Sequence, residues 1–188
     1  MTQRSIAAAA FSLAILATTL YAQTAPAAPQ QRPPQVPTQT DPVGDEMTAD
    51  SMMQQVPALL EKAKTTSDGT ASIVMHRYPG NYLNLMVRVR TGIGEMHANW
   101  SDILVCIDGE ADVITGGTLV DRKDQNGGES RGTRSEGGVH HLMHKGDIIH
   151  IMPGVAHWTV LEPGKNFVFW AAKIEAPPAA SPTPPPAN

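Results

Sequence analysis

The chain predicts an all-β fold, a sandwich or barrel of short strands, and three observations carry that expectation. Beyond Gly69, apolar and polar residues alternate with a period of two over a series of short segments. Gly, Pro and Asp separate these segments at close intervals, as turns between strands require. A length of 188 residues leaves room for one such domain with tails.

Residues 1–22 read as a signal peptide, with Arg4 as the positive start, an apolar run from Ile6 to Leu20 and small residues around Ala22 and Ala25. The run is short for a membrane span, so cleavage is expected, leaving no stable span and a periplasmic or secreted product. Residues 23–47 are rich in Pro, Ala, Gln and Thr and cannot bury a core, which predicts a disordered linker. The folded unit is expected over residues 48–175, and residues 176–188 form a second Pro/Ala-rich tail.

Within the folded unit, Asp45 or Thr48 can cap a short helix through Met52, Met53, Val56, Leu59 and Leu60, whose spacing makes one apolar face for packing outside the barrel. Strands are expected at Ser72 to His76, Tyr82 to Arg90, Glu95 to Asn99, Asp102 to Ile107, Ala111 to Ile114, His140 to His144, Asp147 to Met152, His157 to Leu161 and Phe167 to Ile174. The polar, glycine-rich stretch Asp121 to Thr133 is expected to be a long loop.

A net charge of −4 without a basic cluster argues against nucleic acid as a partner. The one cysteine, Cys106, precludes an intrachain disulfide and sits in an apolar strand, where a small buried thiol is the default.

Two segments carry the chemistry. The first is Glu95-Met96-His97 followed by Asp102 and Gly109. The second is Gly146 to His157, containing Pro153 and Gly154. Each sets metal-ligating side chains at strand spacing beside a glycine turn. Their order and spacing resemble the two motifs of the cupin superfamily, G-x5-H-x-H-x3-4-E-x6-G and G-x5-P-x-G-x2-H-x3-N, as found in small single-domain bacterial cupins. Aligned on Gly109, Asp102 takes the glutamate position, His97 the second histidine and Glu95 the first. Aligned on Gly146 and Gly154, His157 takes the last histidine. Among the departures from the pattern are Glu95 for histidine, Asp102 for glutamate, Met152 for proline and Leu161 for asparagine. The resemblance implies a cupin-type jelly-roll β-barrel with a short N-terminal helix, and domains that often form homodimers.

On a strand, residues two apart point the same way, so Glu95 and His97 face one cavity. A turn through Trp100 and Ser101 is expected to bring Asp102 in from the next strand, and His157 closes the set from a third. Two imidazoles and two carboxylates suit a divalent first-row ion, Mn, Fe, Ni or Zn, with coordination positions left open. Glu95 can alternatively act as a general base, or pair with Arg88 or Arg90. Asn99 has the parity to orient a ligand.

His140, His141 and His144 are divided between faces by their alternation, and His150 points away from its apolar neighbours. Trp100, Trp158 and Trp170 are candidates for a pocket mouth or for core packing.

Two functional readings follow. One is an exported metal-dependent enzyme of oxygenase, isomerase or lyase type acting on a small molecule. The alternative is a non-catalytic cupin domain that binds a small molecule in the barrel mouth.

Overall fold

The structure, a computed structural model, describes residues 46–176. The expected signal segment, and all but the inner ends of the linker and tail, lie outside the described residues. So does Asp45, one of the two expected helix caps.

The helix α1, Ala49–Thr65, is capped by Thr48, whose hydroxyl accepts from the Ser51 amide at 3.1 Å. Asp50 in its first turn and Lys62 and Lys64 in its last complement the helix dipole. No helix among the described residues is long and apolar enough to cross a membrane.

Thirteen strands follow: β1 Thr70–Tyr78, β2 Asn81–Arg88, β3 Gly94–His97, β4 Trp100–Gly109, β5 Ala111–Thr115, β6 Thr118–Val120, β7 Lys123–Asp124, β8 Glu129–Gly132, β9 Arg134–Glu136, β10 Val139–Met143, β11 Ile148–Ile151, β12 His157–Val160 and β13 Phe167–Glu175. They form a five-stranded sheet ordered β1-β2-β13-β4-β11, a six-stranded sheet ordered β10-β5-β12-β3-β8-β7, and the pair β6-β9. All pairings are antiparallel. From β4 to β5 and from β11 to β12 the chain crosses between the two large sheets, giving an antiparallel β-barrel of jelly-roll type.

Alternation along the strands divides the apolar residues into two cores. Leu104, Cys106, Ile151, Phe167, Phe169 and Ala171 of the five-stranded sheet meet Ala111, Val113 and Met143 of the six-stranded sheet inside the barrel. Leu85, Val87 and Val168, on the opposite face of the five-stranded sheet, pack against Val56, Leu59 and Ala63 of α1. The helix therefore lies on the outside of the barrel, as its apolar stripe predicts.

The sequence expectations need three corrections. Trp100 and Ser101 are the first residues of β4, and the turn before it is Ala98-Asn99. Asn99 is accordingly an exposed turn residue whose amide donates to the Gly127 carbonyl at 3.4 Å, and it orients no ligand. The stretch Asp121 to Thr133 is not one long loop, because it contains β7, the 3-10 turn Asn126–Gly128 and β8. Its polar composition concealed β8 because the inward face there is charged, not apolar.

Candidate metal centre

Strand register builds the site. Glu95 on β3 stands directly opposite His157 on β12 and opposite Arg131 on β8, while His97 stands opposite Glu129. Residues directly opposite one another share a sheet face. Glu95, His97, His157, Glu129 and Arg131 therefore all project from the same face of the six-stranded sheet. Asp102 comes across from β4 in the other sheet, where Lys173 of β13 stands opposite it.

His97, Asp102 and His157 are buried, and Glu95 is 21% exposed. The two imidazole rings lie 5.1 Å apart between centroids. His97 Nε2 is 3.7 Å from Glu95 Oε2 and 3.5 Å from Asp102 Oδ2. His157 Nε2 is 4.0 Å and 3.7 Å from the same two oxygens. These separations are too long for hydrogen bonds. They are the spacings of donor atoms that surround a shared point.

The outer nitrogens fix which ring atom faces that point. His97 Nδ1 lies 2.7 Å from Glu129 Oε2, and a carboxylate only accepts, so Nδ1 carries the proton and donates it. His157 Nδ1 donates to the Val155 carbonyl at 3.3 Å. Both rings are thereby held with Nε2 turned into the site, the arrangement that orients metal-binding histidines. Burial pushes the His157 pKa down, outweighing the attraction of Glu95 and Asp102, so the ring is neutral at neutral pH. His97 Nε2 is buried and has no hydrogen-bond partner.

Glu95 is held in a matching way. Burial pushes its carboxyl up, but Arg131, Arg88, His157 and His97 together outweigh that and bring it to about 2. Arg131 Nη1 pairs with Oε1, and Arg88 Nη2 stands 3.8 Å from the same oxygen. Oε2 is left for the centre. Arg88 is thus one of the two expected partners of Glu95. The other, Arg90, donates instead to the Thr66 carbonyl.

One donor atom from each of Glu95, His97 and His157 lies within 4.8 Å of the other two. Asp102 falls outside that set although its Oδ2 is within 3.7 Å of both Nε2 atoms. Its Oδ2 is ion-paired with Lys173 Nζ at 2.7 Å. The donor set fits a divalent ion: two imidazoles and a carboxylate converge, and one buried nitrogen is otherwise unsatisfied.

The sequence reading missed Glu129, Arg131 and Lys173. The signals were present: Glu129 and Arg131 are two apart, as a strand face requires, and Lys173 is a lone cation inside the apolar run Phe167 to Ile174. The remaining candidates lie apart from the centre. His140 pairs with Asp112 at 2.6 Å, His141 Nε2 lies 2.9 Å from Thr115 Oγ1, and His144 stands 3.7 Å from Asp147. His150 is exposed, opposite Ile103 on β4. Trp158 donates to the Gly92 carbonyl at 2.8 Å, and Trp100 meets Tyr82 edge-on.

No protein-family model matches the chain, and no curated protein matches it. Among solved structures it is similar to a recombinant oxalate oxidase in complex with glycolate, at 15% identity and a TM-score of 0.43, covering 61% of this chain and 55% of that one. It is similar to the Clostridium difficile EutQ protein, at 15% identity and a TM-score of 0.40, covering 64% and 72%. A Cupin 2 conserved barrel domain protein from Salinispora arenicola is similar at 16% identity and a TM-score of 0.40, covering 58% and 79%. The chain spans about half the length of the oxalate oxidase it matches. The fold assignment rests on the strand order and register above.

Proposed function

We propose that this cupin-fold chain is an exported protein that holds a divalent ion through Glu95, His97 and His157 and acts on a small molecule bound beside it. The observation that supports the reading is the pair of imidazoles whose Nε2 atoms face one point with a carboxylate oxygen beside them, the His97 Nε2 being buried without a hydrogen-bond partner. A buried nitrogen left without a partner is costly, and an ion at that point would satisfy it.

A bound ion supplies Lewis acidity to an oxygenated substrate, or activates water or dioxygen. The chain's own residues set the stage for that. Glu129 and the Val155 carbonyl keep the protons on Nδ1, and Arg131 and Arg88 hold Glu95 ionised with one oxygen free. Three protein donors leave positions open for substrate. The reading extends to a reaction of oxygenase, isomerase or lyase type, and export follows from the N-terminal apolar segment.

A second reading, a binding domain without catalysis, is favoured by one observation. Each carboxylate of the site already has a cation partner: Glu95 has Arg131, Asp102 has Lys173, and Glu129 has Arg131 at 3.5 Å. Charge balance alone therefore asks for no ion.

Elemental analysis of the full chain, purified without a histidine tag, separates the two. The metal reading expects about one divalent ion per chain, lost in the H97A/H157A variant. Metal retained in that double variant overturns it. Stabilisation by a small molecule in metal-stripped protein, without turnover, would support the binding domain.

A further inference from the structure

We infer that Lys173 withholds Asp102 from the metal centre, so that the ion is held by three protein donors and Asp102 is an outer ion-pair partner. The inference rests on the metal reading above. It goes against the motif alignment, which places Asp102 at a ligand position.

The geometry carries it. The three residues whose donor atoms all lie within 4.8 Å of one another are Glu95, His97 and His157, although Asp102 Oδ2 stands as near to both imidazoles as Glu95 Oε2 does. What holds each carboxylate in place decides which one binds. Glu95 is anchored through Oε1, which leaves Oε2 for the centre. Asp102 is held through Oδ2, the oxygen nearest the imidazoles, by the partly buried Lys173 ammonium at 2.7 Å.

Register makes that hold rigid. Arg77 of β1, Tyr82 of β2, Lys173 of β13, Asp102 of β4 and Ile151 of β11 form one row of directly opposite residues across the five-stranded sheet. Lys173 therefore emerges next to Asp102 on the inward face, and its side chain is 13% exposed. Asp102 Oδ1 is buried with no partner. Freed of Lys173, this carboxylate has an unsatisfied oxygen and a short path to the centre.

The test is calorimetric and spectroscopic titration of Co2+ into chelator-treated full-length wild type, K173M and D102N/K173M, each checked for folding by circular dichroism. The double variant removes the pair without changing net charge. It is expected to bind Co2+ within about threefold of wild type with the same visible spectrum. K173M is expected to bind at least tenfold tighter, with a shifted cobalt d–d band as a carboxylate enters the coordination sphere.

A tenfold or greater loss in the double variant, with a changed spectrum, would show Asp102 to be a native ligand and overturn the inference while leaving the metal reading intact. An unshifted band in K173M also overturns it, since any gain in affinity would then be charge alone. Binding by K173M but not by wild type upholds the withholding and removes the native metal reading. Binding by none of the three removes both. If K173M does not fold, the comparison of wild type with the double variant decides alone.

Discussion

At the scale of single residues, the site depends on which nitrogen of each histidine carries its proton. Glu129 fixes this for His97, and its own pKa is set by burial, which raises it, against the stronger opposing effect of the His97 hydrogen bond and of nearby cations. Replacing Glu129 with Ala frees the ring to rotate and to change tautomer. Divalent-ion affinity is expected to fall about 10- to 100-fold in E129A, measured by calorimetry, with the circular dichroism spectrum unchanged. Cys106 illustrates the opposite case, a reactive group made inert by its surroundings. It is 1% exposed, and burial, with Asp147 and Asp108 adding to it, pushes its thiol up to about 11. Ellman's reagent at pH 8 should leave it unmodified in the native protein and react fully in denaturant. An unfolded thiol begins to ionise near 9 while the folded one keeps its proton to about 11. Stability from this group is therefore constant below pH 9 and declines from pH 9 to 11. Urea unfolding of wild type and C106A across that range checks the sign: the C106A curve should lack that part of the decline.

At the scale of elements, register and turns decide which side chains meet. Gly109 ends β4 with φ +75°, and a Cβ there would stand 2.2 Å from the Asn166 backbone oxygen. G109A is expected to lower stability by about 1–3 kcal/mol, read as a lower urea midpoint with an unchanged slope. The glycine was legible in the sequence because a tight turn has a residue-type signature. The β-strands of the core and α1 were legible for a similar reason, since Leu104 with Cys106 and Val56 with Leu59 repeat at the periods of their elements. The strand β8 was not. Its inward residues are Glu129 and Arg131, and a charged inward face imitates a solvated loop until its partner strand is known. Lys173 was hidden likewise, because its meaning comes from standing opposite Asp102 across a strand pair, and pairing is not written in either strand alone. Glu95, His97 and His157 could be picked out as neighbours from motif spacing. That Asp102 is ion-paired with Lys173 could not.

At the scale of the whole molecule, two cores support one polar centre. The inner apolar core and the outer one beneath α1 clamp the five-stranded sheet between them, so L59A, which empties space under the helix, is expected to cost about 2–5 kcal/mol. Divalent-ion affinity in that variant should stay near the wild-type value, because α1 packs on the face opposite the site. The polar centre between the sheets has its carboxylates paired with Arg88, Arg131 and Lys173, and among the atoms it leaves unpartnered is His97 Nε2. The account therefore stands on whether an ion occupies the point that the two Nε2 atoms face. The direct measurement is an anomalous difference map from crystals of the chelator-treated protein soaked in Co2+. One peak about 2.0–2.2 Å from Nε2 of His97, Nε2 of His157 and an oxygen of Glu95 is the predicted result. An empty centre at saturating Co2+, or density only at surface histidines such as His140, would contradict it.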